Sequence, residues 1–227
     1  MHTLFTELKT KTAERHRELE NTAPFSSFHR SNSIDVIQYS AILQTMCQFH
    51  QDVTAYLTSQ PNSAGLRALN IDSMLPFLGA SQVLASLKTD RQALAQYAPQ
   101  REKNRGNAAI TDAPFTHSIS SVIAAMYVWL GSSMGANMLV RRIQKQNERI
   151  SPALPVHYYG EMASKAKHWV AFKAHIDNRL APLCQTLGVT DAQFSSWVVD
   201  DANQWFAHLI ALGNQASLQP LPHEYCG

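Results

Sequence analysis

Two pairs of side chains in this chain have the spacing of a ligand-and-partner unit. His16 and Glu20, and His157 and Glu161, each stand four residues apart. On a helix that spacing puts both groups on one face. A neutral imidazole so placed can bind a metal through one ring nitrogen while the carboxylate holds the other and fixes its tautomer. A solvated helix surface produces the same pattern. A third feature is the glycine pair Gly131 and Gly135 inside the uncharged string YVWLGSSMGANML. A glycine within a helix costs about 1 kcal/mol relative to alanine, so something must favour two of them. Either another helix packs close, or a flat ligand lies against bare backbone. Other chemistries lack their signatures. There is no P-loop, no G-x-S-x-G and no G-x-G-x-x-G. No Glu-x-x-His occurs, which argues against a carboxylate-bridged di-iron bundle. Cys47, Cys184 and Cys226 are far apart and form no C-x-x-C, so neither a disulfide framework nor a zinc site is implied.

The elements that must hold these residues read as helices. Residues 3–20 carry Leu4, Leu8, Thr12, His16 and Leu19 at helical spacing. Residues 33–59 form a second helix with Ser33 as its N-cap. Residues 63–97 give one or two shorter helices split near Pro76–Gly79. Residues 98–113 are polar and make the longest loop. Residues 115–147 form one long helix, uncharged from His117 to Val140 and basic at Arg141, Arg142 and Lys145, as suits a helix C-terminus. Residues 158–181 are helical up to Pro182, and Thr190 caps a last helix running to about Asn214. The expectation is one all-α domain over residues 1–214 with a loose tail at 215–227.

Composition narrows the classes of function. The 227 residues are 45% hydrophobic and only 16% charged, against a usual ~25% charged, which excludes a charge-rich disordered chain. Net charge is +2, yet every Lys and Arg lies before residue 180, and Asp191, Asp200, Asp201 and Glu224 stand after it. Such asymmetry suits an anionic ligand or a chance scatter of solvated charge. No dense Lys/Arg stripe marks a nucleic-acid surface. The uncharged run approaches a bilayer span in length, but Ser118, Ser120, Ser121, Ser132, Ser133 and Asn137 interrupt it. A central buried helix is expected, not a membrane span. The polar N-terminus lacks the apolar core of a secretory signal, and free thiols suit a reducing cytoplasm.

Taken together, the strings LKTKTAERHRELE and YVWLGSSMGANML resemble the haem oxygenase family. The family's first-helix signature, L-K-x-x-T-x-x-x-H-x-x-x-E, reads here as Leu8, Lys9, Thr12, His16 and Glu20. Its distal helix carries a tyrosine and then, in bacterial members, G-S-x-L-G-A. Here these are Tyr127 and Gly131, Ser132, Ser133, Met134, Gly135, Ala136. The likeness runs on through Trp169-x-x-Phe172 and, in the last helix, Ala202 and Phe206. The two motifs stand about 115 residues apart in the family's order. No hydrophobic tail follows, so the likeness is to soluble bacterial members.

The resemblance implies a helical bundle that sandwiches haem between the first helix and a glycine-kinked distal helix. It implies His16 as the iron ligand, and Glu20 as acceptor from the other ring nitrogen or holder of the water beside it. Lys9, Tyr127, Arg141, Arg142 and Lys173 become candidates for the haem propionates, with Arg179 a further option. Gly131, Ser132 and Gly135 become the residues over the oxygen-binding side, where animal members have an aspartate at the position of Ser132 and a second glycine at that of Ala136. The family's reaction requires that no acidic side chain there protonate the oxidant hard enough to split its O–O bond, and no Asp, Glu, Lys or Arg stands between His117 and Val140. The activity implied is oxidative cleavage of haem to biliverdin, CO and Fe²⁺. Electrons would come from an external ferredoxin, flavodoxin or reductase, and a phytochrome is one possible recipient of the pigment; iron release is the other purpose found in such members. A haem carrier or sensor on the same fold is the alternative. A haem-free relative of the fold, such as a thiamin-degrading or quinone-cofactor enzyme, is disfavoured by LKTKTAERH.

Overall fold

A computed structural model describes residues 3–30, 33–61, 63–97 and 118–217. Among them every regular element is helical, as expected: α1 (Leu4–Lys11), α2 (Ala13–Asn21), α3 (Ser27–Arg30), α4 (Val36–Thr58), α5 (Ala64–Leu69), a short 3-10 turn (Ile71–Ser73), α6 (Leu75–Leu78), α7 (Ala80–Leu94), α8 (Ile119–Asn147), α9 (His157–Lys165), α10 (His168–Leu187) and α11 (Asp191–Ser217). The expected loop at 98–113 and residues 218–227 with Cys226 lie outside the described residues. Residues 215–217, assigned to the tail, continue α11.

α8 is the central element. It packs against α11, α9, α4 and α10, and Val122 to Met126 with Trp129 and Leu130 are buried completely. Its length and composition would let it cross a membrane, but 67% of its most apolar window is buried inside the fold. Seven-tenths of a span hidden among other helices is what a core helix shows. Ser118 caps it by accepting from the Ser121 amide.

Four expectations shift. The first helix is two, because the chain turns at Thr12, whose hydroxyl donates back to Leu8 O at 2.8 Å. That back-bond competes with regular helix geometry. α4 starts at Val36, capped by Asp35, whose Oδ1 accepts from the Gln38 amide at 2.8 Å, so the cap is not Ser33. The stretch 63–97 breaks twice, at Asn70 and at Gly79, both left-handed, with φ of 52° and 56°. The helix expected to end at Pro182 is instead α9 followed by α10, and Pro182 lies inside α10. Tertiary contacts hold that helix through the proline. His175 Nε2 lies 2.8 Å from Leu69 O, Arg179 donates to Ala68 O at 3.0 Å, and Leu183 and Cys184 are buried beyond Pro182. α10 stops at Gly188, φ 68°, where the Val189 amide bonds back to Cys184 O.

Candidate functional site

The proximal string divides its labour between two helices. α1 buries Leu4, Phe5 and Leu8, whereas α2 buries none of its residues. α2 lies against α11, and its nearest aromatic neighbour there is Phe206, whose ring stands edge-on to His16 at 5.9 Å. The His16 side chain is 56% exposed. Glu20 Oε1 lies 3.5 Å from His16 Nδ1, which leaves Nε2 as the outward nitrogen. The arrangement positions one imidazole nitrogen toward a carboxylate and presents the other to whatever occupies the space beside α2.

The second pair fails as a pair. His157 Nδ1 bonds Asp90 Oδ1 at 2.7 Å, and Glu161 pairs with Lys165. Asp90, fully buried on α7, also accepts from the His157 and Tyr158 amides. It caps α9 from another helix, a role that no local spacing announces, since the cap residue Val156 has no side-chain acceptor.

The glycines of α8 answer the question their cost raised. A Cβ added at Gly131 or at Gly135 would meet no atom within 4 Å, so among the described residues no helix packs on either. Gly213 shows what a packing glycine looks like: a Cβ there would sit 3.0 Å from Ala23 O and 3.2 Å from Pro24 Cδ. The face that carries Gly131 and Gly135 is apolar and open. Met134 and Met138 on this stretch are 54% and 67% exposed. By helical phase Tyr127, Gly131, Gly135, Met138 and Arg142 share one stripe. Met138 was missed in the sequence, although its place three residues after Gly135 marks it.

Tyr127 joins the two halves of the site. Burial raises its phenol above the ordinary value, and the neighbouring Thr12 side chain opposes the rise. Its ring lies 6.5 Å from Phe5 and 5.6 Å from Trp169. His16 follows Thr12 by one turn, and Gly131 follows Tyr127 by one turn. Lys173 Nζ sits over the Trp169 ring at 5.8 Å, within the same aromatic group. Lys9 and Arg141 are exposed and Arg142 is half-buried. Arg179 is committed to Ala68 O, which removes it from the list of candidate anchors. Ser132, exposed, donates to Trp129 O at 2.7 Å and keeps its lone pairs as acceptors. No cluster of three or more His, Cys, Asp or Glu able to hold a metal ion is found among the described residues.

The comparisons bear on family and fold. The family model described as Heme oxygenase matches residues 2–212. The fold is similar to that of heme oxygenase from Leptospira interrogans, with a TM-score of 0.64 at 16% identity over 94% of this chain and 100% of that one. It is also similar to heme oxygenase-1 from the cyanobacterium Synechocystis, solved in complex with heme, with a TM-score of 0.59 at 17% identity over 94% of this chain and 92% of that one. No curated protein matches the chain.

Proposed function

The chain belongs to the haem oxygenase family, and from that premise we propose that it cleaves haem with O2 and reducing equivalents to biliverdin, CO and Fe²⁺. The observation that carries the reading is the pair of uncovered glycines in the distal string, Gly131 and Gly135, where a Cβ would meet nothing. A flat macrocycle needs bare backbone of this kind. The donor set also fits the group: one histidine whose outward nitrogen is free to ligate, and bases and a tyrosine hydroxyl for two carboxylates.

When bound, haem supplies both the iron that activates O2 and the ring that is oxidised. The protein's own contributions follow from its residues. His16 ligates through Nε2, and Glu20 orients the ring by accepting from Nδ1–H, which raises the ligand's basicity. Lys9, Arg141, Arg142 and Lys173, with Tyr127, hold the propionates at the rim. Gly131 and Gly135 admit the ring edge, and the Ser132 hydroxyl holds water by its acceptor lone pairs. α8 carries no Asp, Glu, Lys or Arg before Arg141, so no side chain there delivers a proton directly. Electrons come from a soluble ferredoxin, flavodoxin or reductase, and released biliverdin is available to a phytochrome. The buried free thiols Cys47 and Cys184 fit a cytoplasmic setting.

The test is direct. Haem is added and its Soret band recorded, then ascorbate or a ferredoxin–reductase system is supplied under oxygen. Loss of the band with growth of biliverdin is the expected result. A stable band means a carrier or sensor, and no band means that the chain takes no haem. His16→Ala should lower haem affinity and lose the histidine-ligated spectrum, with partial recovery on adding imidazole. A wild-type spectrum and turnover in that variant would move the ligand elsewhere.

A further inference from the structure

The buried side of α8, opposite the glycines, carries polar and oxidisable groups that the proposed reaction does not use. Trp129 is fully buried, and its ring centroid lies 4.0 Å from that of His50 on α4. His50, also fully buried, has Nε2 3.0 Å from the Tyr158 hydroxyl. Tyr158 is 1% exposed, and its ring lies 4.8 Å from that of Tyr159, which in turn lies 6.3 Å from Tyr39. Indole and phenol are the neutral side chains that give up an electron most readily. Here they stand in unbroken ring contact from the distal helix into the α4–α9 layer.

The protonation pattern sets this chain apart from ordinary core aromatics. With the ring proton on Nδ1, the Tyr158 hydroxyl donates to His50 Nε2 across their 3.0 Å contact. Among the described residues, His50 Nδ1 and the Trp129 indole N–H are both buried without a hydrogen-bond partner. Leaving two such donors unmet is costly, and buried groups of this kind call for an explanation. A phenol can lose an electron in an apolar core only if its proton has somewhere to go, because a phenol radical cation is a very strong acid. Burial keeps Tyr158 protonated, and the unprotonated Nε2 is the acceptor already in line.

We propose that Trp129, His50 and Tyr158 form a one-electron relay that drains stray oxidising equivalents from the glycine face of α8. The proposal rests on the functional reading above, since it needs an oxygen-activating group on that face. In each event one electron leaves Tyr158 by way of Trp129 for a one-electron oxidant on that face. The Tyr158 hydroxyl proton passes to His50 Nε2, leaving a neutral phenoxyl radical and an imidazolium. A thiolate or ascorbate anion then supplies one electron to the radical and is itself oxidised by one electron, and the His50 imidazolium gives the proton back to the phenol oxygen.

The test uses the haem-loaded full chain. A single equivalent of m-chloroperbenzoic acid, which takes two electrons and releases m-chlorobenzoic acid and water, is mixed in, and the sample is frozen within milliseconds for electron paramagnetic resonance. A tyrosyl signal that narrows on ring-deuterated tyrosine is expected in the wild type. Tyr158→Phe should lose most of it and bleach more haem per equivalent of peracid. Trp129→Phe should slow its appearance, and His50→Gln should lower its yield. Melting curves confirm that each variant is folded, and Tyr158→Phe, which removes one oxygen, stays decisive if the other two are not. A Soret band with the same tyrosyl signal in Tyr158→Phe overturns the relay alone. Absence of a Soret band in the wild type overturns the functional reading and the relay with it.

Discussion

The two halves of α8 differ in composition and have opposite fates. From Ser120 to Leu130 all residues but Tyr127 are buried, in contact with α11, α9 and α4. From Gly131 to Arg142 only Ser133 and Ala136 are buried, and two methionines point into the open. One continuous helix therefore serves as core along its first half and as the wall of a site along its second. In the first half, stability comes from apolar burial and close packing. In the second, the chain gives up helix propensity at two glycines and leaves apolar side chains exposed. Such a loss persists in a folded protein when the surface has another use.

The largest effect expected from this contrast is on the buried half. Trp129→Ala removes a fully buried indole and should cost about 3–5 kcal/mol of stability, read as a fall in the urea midpoint. If the midpoint barely moves, the first half is not the core it is described to be. The open half should respond in the opposite way. Gly135→Leu should leave stability unchanged or raise it by up to about 1 kcal/mol, because leucine favours the helix and meets nothing. The same variant should bind haem and lose turnover by about 100-fold or more, roughly 2.7 kcal/mol of transition-state stabilisation. Normal biliverdin output with normal folding would make Gly135 irrelevant to the ligand.

A smaller effect sharpens the contrast through pH. Burial against Trp129, Phe49 and Tyr158 pushes the His50 imidazole down to about 3, from about 6.5 in an unfolded chain. The unfolded state then binds the proton that the folded state refuses. Stability from this group is complete above about pH 6.5 and is lost as pH falls toward 3. Between pH 6 and pH 5 the loss should be about 1 kcal/mol, and His50→Gln should flatten that part of the curve. An unaltered slope would mean that another group governs acid unfolding. The smallest effect concerns the rim. A partly exposed ion pair contributes about 0–1 kcal/mol, so Lys9→Ala with Arg142→Ala should weaken haem binding only a few-fold. The mixture of biliverdin isomers, separable by chromatography, should still change in the double variant. An identical mixture at unchanged affinity would leave Tyr127 and Lys173 as the anchors.

Much of the molecule was legible in the chain because helical periodicity is local. Helical spacing of apolar residues marked α4, Thr190 marked the start of α11, the uncharged run marked the central helix, and LKTKTAERHRELE placed His16 and Glu20 on one face. What failed were readings that local rules cannot decide. Pro182 should have ended a helix, but His175 and Arg179 tie that helix to the carbonyls of Leu69 and Ala68 before the proline, and Leu183 and Cys184 are buried after it. His157 and Glu161 looked like a functional pair until Asp90, 67 residues away in sequence, captured the imidazole.

The sequence by itself determined the all-helical class and, through two strings, the family. These are properties of side-chain type and of spacings within a few turns. The tertiary structure alone decided which of the chemically similar candidates are free. Whether a glycine packs or opens, as Gly213 and Gly135 do, depends on which distant atoms arrive within van der Waals reach of its Cα. Whether a base is spent on a backbone carbonyl, as Arg179 is on that of Ala68, depends on which carbonyl the fold brings to it. Both questions turn on contacts between residues far apart in the chain, and no local pattern encodes them.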